Sequence, residues 1–241
     1  MRTLAFANRV TKEIIRDPLS LFFGLAFPLI LLLLLSVINA NVPVDLFNIA
    51  DLAPGIAVFG LSFMALFAAQ VLSKDRATSF LPRLLTTPMT SRNFMLGYML
   101  PLVCMAVLQA FICLVVATFL GLSWSVHMLL MLVAIVPISL IFISLGLLAG
   151  TLLSEKAAVA SCGAILTNFS AWLSGIWFDI DLMGETFKQI AYALPFVHAV
   201  KVCQALIAHQ PLGNHWIWVV GYAVVLTVLS ITVFQYKKGM R

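Results

Sequence analysis

The residues able to do chemistry in this 241-residue chain are few, and their spacings argue against most reactions. Gly55-Ile56-Ala57-Val58-Phe59-Gly60-Leu61-Ser62 repeats the glycine spacing of a phosphate-binding loop. Leu61, however, stands where a lysine must reach the phosphates, and the segment lies in an apolar run. No nucleotide site is expected. Gly121-Leu122-Ser123 lacks the next glycine of an intramembrane serine-protease signal, and nothing makes His127 its base. Cys104, Cys113, Cys162 and Cys203 fit no metal or redox spacing, so they are read as free, small hydrophobes without a disulfide. Gln70, Gln109 and Asn168 are the main polar side chains inside apolar runs. Hydrogen bonding between helices is their ordinary role, and lining a cargo path is the alternative. His198 reads as an ordinary interfacial residue rather than a ligand.

The elements that must carry these groups are six long apolar stretches, at about Leu19–Asn39, Leu52–Leu72, Phe94–Leu120, Met128–Leu153, Ala157–Phe178 and Trp216–Phe234. A bilayer crossing needs roughly 20 apolar residues. In lipid the backbone must satisfy its own hydrogen bonds, so each stretch is expected to be a helix. With 63% hydrophobic and 10% charged residues, and only short pieces between the spans, no separate soluble domain fits. The expectation is an all-α integral membrane protein, one transmembrane domain over 1–241, with no cleavable signal peptide.

Charge sets the expected orientation. Of the 14 Lys and Arg, all but Lys188 and Lys201 fall in alternate gaps that share one side if six helices cross. Both termini are therefore expected in the cytoplasm, in a multi-pass protein of the plasma membrane. The net charge of +5 reflects this sorting and does not point to nucleic acid.

Residues 1–18 form an N-terminal interfacial segment. Leu4, Ala7, Val10 and Ile14 recur at helical spacing opposite Asn8, Arg9, Lys12 and Arg16, and Asp17-Pro18 stops the helix. Such a helix lies at the membrane surface with its cations towards anionic headgroups, as an anchor or as a lever on a partner. Ala53-Pro54-Gly55 is read as opening the second span, with Pro54 in its first turn. The segment 73–93 presents Phe80, Leu81, Leu84 and Leu85 among charges, and apolar residues on a charged loop suggest a protein partner. The segment 179–215 holds an apolar piece, Ile190–Val200, broken by Pro195 and too short to cross. Gly146, Gly150, Gly163 and Ala164 are small enough for close helix contact.

Together these pieces resemble the type-2 ABC transporter permeases, the membrane subunits of ATP-driven exporters, over nearly the whole chain. The resemblance begins at Arg16-Asp17-Pro18 and continues through Leu52-Ala53-Pro54-Gly55-Ile56. Its most specific part is Asp75-Arg76-x-x-Ser79-Phe80-Leu81-x-Arg83-Leu84-Leu85-x-Thr87-Pro88, followed by Ser91-Arg92 and Gly97. Ser174-Gly175 and Ala191-Tyr192-Ala193-Leu194-Pro195 resemble the family's outer re-entrant helix pair.

The resemblance implies six transmembrane helices, the interfacial helix, a cytoplasmic coupling loop and the re-entrant segment. It implies two copies of a separate ATPase subunit, which hold ATP and Mg, while this chain binds no cofactor and is not itself an enzyme. Phe80, Leu81, Leu84 and Leu85 would dock in the ATPase; Arg76, Arg83 and Arg92 would pair with its acidic rim, and Asp75 with a basic partner; Thr87 and Pro88 complete the coupling set. A second copy or close relative would complete a path for a drug, lipid, lipid-linked glycan or peptide. Phe63, Met64, Phe67, Asn168, Phe169 and Trp172 are its expected lining. The competing class is an ATP-independent channel or an ion-coupled carrier.

Overall fold

The computed structural model describes residues 2–41, 48–78, 90–177 and 180–239. Among these, all regular structure is helical. Helix α1, Arg2–Ile15, buries Phe6, Ala7, Val10 and Ile14. The expected apolar stripe therefore holds except at its first position, where Leu4 turns outward and Phe6 replaces it. Asp17 has extended backbone, and its carboxylate accepts from the Leu19 amide at 3.2 Å and the Ser20 hydroxyl at 2.8 Å. One residue thus stops α1 and caps the next helix, with Pro18 at its first position.

That helix, α2, runs over Pro18–Asn41 and contains a π turn at Phe22–Ala26. Helix α3 spans Ile49–Ala77 and differs from the sequence expectation at both ends. The Asn48 side chain accepts from the Ala50 amide at 3.0 Å, so α3 begins at Ile49 and Pro54 lies inside it, past the first turn. At the other end the helix continues beyond Leu72 through Lys74, Asp75 and Arg76. Hydropathy falls at these charges, but each has a partner within the fold and the helix persists.

Helix α4 covers Ser91–Phe119 and α5 covers Val126–Leu152. Ser154 caps the helical stretch α6, residues 155–173, which widens into a π turn at Ser161–Leu166. The Thr167 hydroxyl donates to the Cys162 carbonyl at 3.0 Å, satisfying a group that the widened turn frees. Helices α7, Glu185–Tyr192, and α8, Pro195–Ile207, meet at 81°. Helix α9 is His215–Gly239.

Among the described residues five helices are long and apolar enough to cross a membrane: α2, α3, α4, α5 and α9. The bent α7–α8 pair makes a sixth if counted as one span. The expected fifth span, Ala157–Phe178, corresponds to α6, which ends at Leu173 and is not among the five. Ser161, Thr167, Asn168 and Ser170 dilute its apolar character.

Helix α3 is the centre of the bundle. Its apolar window is 89% buried, against 22% for α2 and for α9. Its closest neighbour is α5. Gly146 lies on the Ala65 carbonyl so tightly that any Cβ would overlap it, and a Cβ on Gly150 would fall 2.9 Å from the Ala69 carbonyl oxygen. These two of the four small residues serve the expected close approach. Ala164 is exposed, and a Cβ on Gly163 would meet only the Leu66 side chain at 3.4 Å.

Candidate functional site

The charged side chains gather where α1 crosses the end of α3. Ala68, Val71, Leu72 and Asp75 share the buried face of α3, so helical periodicity carries a carboxylate into the interior. Asp75 is only 3% exposed. Arg9 meets it with both guanidinium Nη groups, at 2.5 and 2.6 Å, and the Tyr98 hydroxyl of α4 donates to the same carboxylate at 2.7 Å. Glu13 joins Arg9 at 2.9 Å and Lys74 at 3.3 Å. A fork-on-carboxylate pair with a third donor fixes geometry as well as charge. Partial burial works against the Arg9 charge, yet the Asp75 carboxylate outweighs it and raises the guanidinium pKa above its ordinary value.

Aromatic packing seats the same helix. Phe6 stands edge-on to Phe94 at 5.5 Å and to Tyr98 at 4.9 Å. It rests against Gly97, where a Cβ would strike its ring. Each such ring pair contributes about 0.5–1.5 kcal/mol beyond its buried area. Helix α1 is thus bolted to α3 by charge and to α4 by rings.

Arg76 turns the other way. It donates to the carbonyls of Gly150 and of Leu153, the latter at 3.1 Å, and so places a cation at the C-terminal end of α5. Asp75 and Arg76, which the family resemblance directs at an ATPase, are therefore both engaged inside the chain. Arg92 is exposed at the start of α4. Phe80, Leu81, Arg83, Leu84, Leu85, Thr87 and Pro88 lie outside the described residues, as does Asp179 of the expected outer cap.

The expected path residues differ in exposure. Phe63, Met64 and Phe67 are buried, and Phe63 packs on Phe23 and Phe27 of α2 at 5.7 and 5.5 Å. Phe169 and Trp172 on α6 are 52% and 58% exposed. The Asn168 amide donates back to the Ala164 carbonyl of its own helix at 2.7 Å. Among the polar residues within apolar runs, Gln70 reaches Asp17 at 3.5 Å, whereas Gln109 donates to Cys113 of its own helix at 3.3 Å. The Gln109 carbonyl oxygen is buried without a hydrogen-bond partner among the described residues. Replacing Gln109 by Met is expected to leave stability unchanged or raise it by about 1 kcal/mol, because an orphaned acceptor is removed. Thermal unfolding in detergent measures this, and a fall of several degrees would show that the carbonyl oxygen of Gln109 is satisfied in the folded chain.

At the opposite end of the bundle His198 is buried, contrary to its reading as an ordinary interfacial residue. Its Nε2 lies 2.9 Å from the Tyr192 carbonyl, and its Nδ1 lies 2.7 Å from Nδ1 of His215. A carbonyl can only accept, so Nε2–H donates to it and, in the neutral ring, Nδ1 accepts from His215. Trp218 stacks on His198 at 5.4 Å. The cluster ties the α7–α8 elbow to α9. Its sequence signal was weak, because His198 and His215 lie in different elements.

The Arg9–Asp75–Tyr98 node was missed in the sequence, although a signal existed: the spacing of Ala68, Val71, Leu72 and Asp75 puts the acid on a buried face, and a buried acid needs a cation.

A multi-pass helical bundle with an amphipathic helix fastened to its central helix defines an integral membrane protein. The family model for the ABC-2 type transporter matches residues 1–208, and the chain belongs to that family. Two curated relatives are each described as "Putative transport permease ycf38". The protein from Porphyra purpurea is 32% identical over 123 residues, covering 48% of this chain and 42% of the relative. The protein from Pyropia yezoensis is 31% identical over 123 residues, with the same coverage. The matched region is thus less than half the length of these relatives. The chain is a membrane transport component of the permease class.

Proposed function

We propose that this chain is the permease subunit of an ATP-driven exporter, worked by a separate ATPase at the α1 end of the bundle. The observation that carries this reading is the node of Arg9, Glu13, Lys74, Asp75 and Tyr98. It joins the amphipathic helix to the last turns of α3, a few residues before the segment 79–89. Force applied to that segment passes along α3 to Asp75, and from Asp75 to Arg9 and α1. Asp75 and Arg76 then act as relays to α1 and α5, and the docking contact falls to Phe80, Leu81, Leu84 and Leu85, a helix-in-groove arrangement. Arg83 and Arg92 meet the acidic rim, and Thr87 and Pro88 complete the coupling set.

In this reading two ATPase copies bind ATP and Mg and drive two permease chains between inward and outward states, because nucleotide favours one of them. The α1 end faces the cytoplasm, both termini lie there, and the membrane is the plasma membrane. The bent α7–α8 pair is re-entrant from the outer side. Phe169 and Trp172 face the second copy or the cargo. The cargo is hydrophobic or amphipathic, since the spans present few polar groups.

Replacing Leu84 and Leu85 by Asp is expected to abolish co-purification of the ATPase while the permease remains inserted and dimeric. Pull-down from membranes, with size-exclusion of the permease alone, measures both. Survival of the complex would overturn the docking assignment, and export from vesicles lacking any ATPase would favour the ion-coupled alternative.

A further inference from the structure

Between α1, the start of α2 and the last turns of α3 lies a cleft of about 700 Å³. Its charges are unequally committed. Arg9 is held by Asp75 and Glu13, and Lys74 by Glu13. The Asp17 carboxylate is engaged by the Leu19 amide, the Ser20 hydroxyl and the Gln70 amide. Lys12 on α1 and Arg16, just past its end and four residues on, both line the cleft and have no ion-pair partner among the described residues. Two cations at this spacing present a concave, positively charged wall, and a guanidinium fork matches the geometry of a phosphate.

What flanks the wall narrows the ligand. Leu19 and Phe22, on the first turns of α2 beside Pro18 of the cleft, are exposed large hydrophobics. A ligand that satisfies both surfaces is anionic at one end and apolar at the other. A free inorganic anion would cover only the first.

We propose that this cleft binds the phosphate diester headgroup of an anionic phospholipid, with Lys12 and Arg16 on the phosphate and an acyl chain along Leu19 and Phe22. The assignment does not depend on the ATPase reading, because it needs only a membrane and this face of α1. The lipid fills the space beside the Arg9–Asp75 pair, and so the site links membrane composition to the seating of α1.

The full chain in an uncharged detergent is titrated with dioctanoyl phosphatidylglycerol, dioctanoyl phosphatidylcholine and inorganic phosphate, and the thermal unfolding midpoint is followed. Phosphatidylglycerol is expected to raise the midpoint saturably, and the other two much less. Lys12→Gln with Arg16→Gln is expected to weaken the phosphatidylglycerol response roughly tenfold to thirtyfold, from the usual contribution of two basic residues near an anionic surface. Both side chains are exposed, so the variant keeps its fold. Lys156→Gln with Lys237→Gln removes the same charge elsewhere and is expected to leave the response within about twofold. Equal responses to the two lipids, or equal loss in the two double variants, would overturn the site. Inorganic phosphate that binds as tightly as phosphatidylglycerol and displaces it would overturn the lipid assignment in favour of a soluble phosphate.

Discussion

Asp75→Ala is expected to release α1 from the bundle. The substitution takes the two-pronged carboxylate from Arg9, which keeps its Glu13 contact, and strips the Tyr98 hydroxyl of its acceptor. Removing one partner of a buried ion pair costs about 3–5 kcal/mol, and Arg9 is partly solvated, so a loss of about 2–4 kcal/mol is expected. Hydrogen exchange provides the local test: amides of α1 should lose protection well before those of α3 and α5, which keep their own packing. Asp75→Asn retains an acceptor for Tyr98 but loses the charge, and should fall between the two. Arg9→Ala combined with Asp75→Ala should cost less than the sum of the single changes, because the double variant buries no unpaired charge. Unchanged α1 protection in Asp75→Ala would show that the rings around Phe6 hold the helix unaided.

Gly146→Val should do more harm still, and at a different place. No rotamer can relieve the overlap, since the group in the way is the Ala65 backbone carbonyl. Helices α3 and α5 must separate, and α3 is the helix on which the rest of the bundle packs. Overpacking usually costs about 1–3 kcal/mol where side chains can yield; with a backbone obstacle the cost should lie at or beyond the upper end. The expected result is a chain that inserts but fails to give a monodisperse, cooperatively melting species. Gly163→Val serves as the comparison, because the Leu66 side chain it approaches can move. Equal behaviour of the two variants would mean that α3 and α5 are not in register as described.

The contrast between these two sites shows what the sequence could reveal. Apolar length located four of the spans closely, because a bilayer imposes length and composition directly. It failed at the end of α3, where charges looked like a loop. Whether a helix runs through Lys74, Asp75 and Arg76 depends on Arg9, Glu13 and the α5 carbonyls, all remote in sequence. The same blindness misplaced the start of α3, where Asn48 supplies a cap that hydropathy ignores. Gly146 and Gly150 could be listed as small, but their special role depends on which helix faces them. Nor does composition tell that Phe63 and Phe67 are buried within the chain while Phe169 and Trp172 are exposed.

The link from residue 9 to residues 75 and 98 also bears on how the chain is made. Translation proceeds at about 5–20 residues per second, so Arg9 is in place on the order of ten seconds before Asp75 and Tyr98 both emerge. Until then neither the Arg9–Asp75–Tyr98 node nor the seat of Phe6 on Phe94 and Tyr98 can be complete. The nascent amphipathic segment can therefore take its final seat only after α3 and the first turns of α4 have been made.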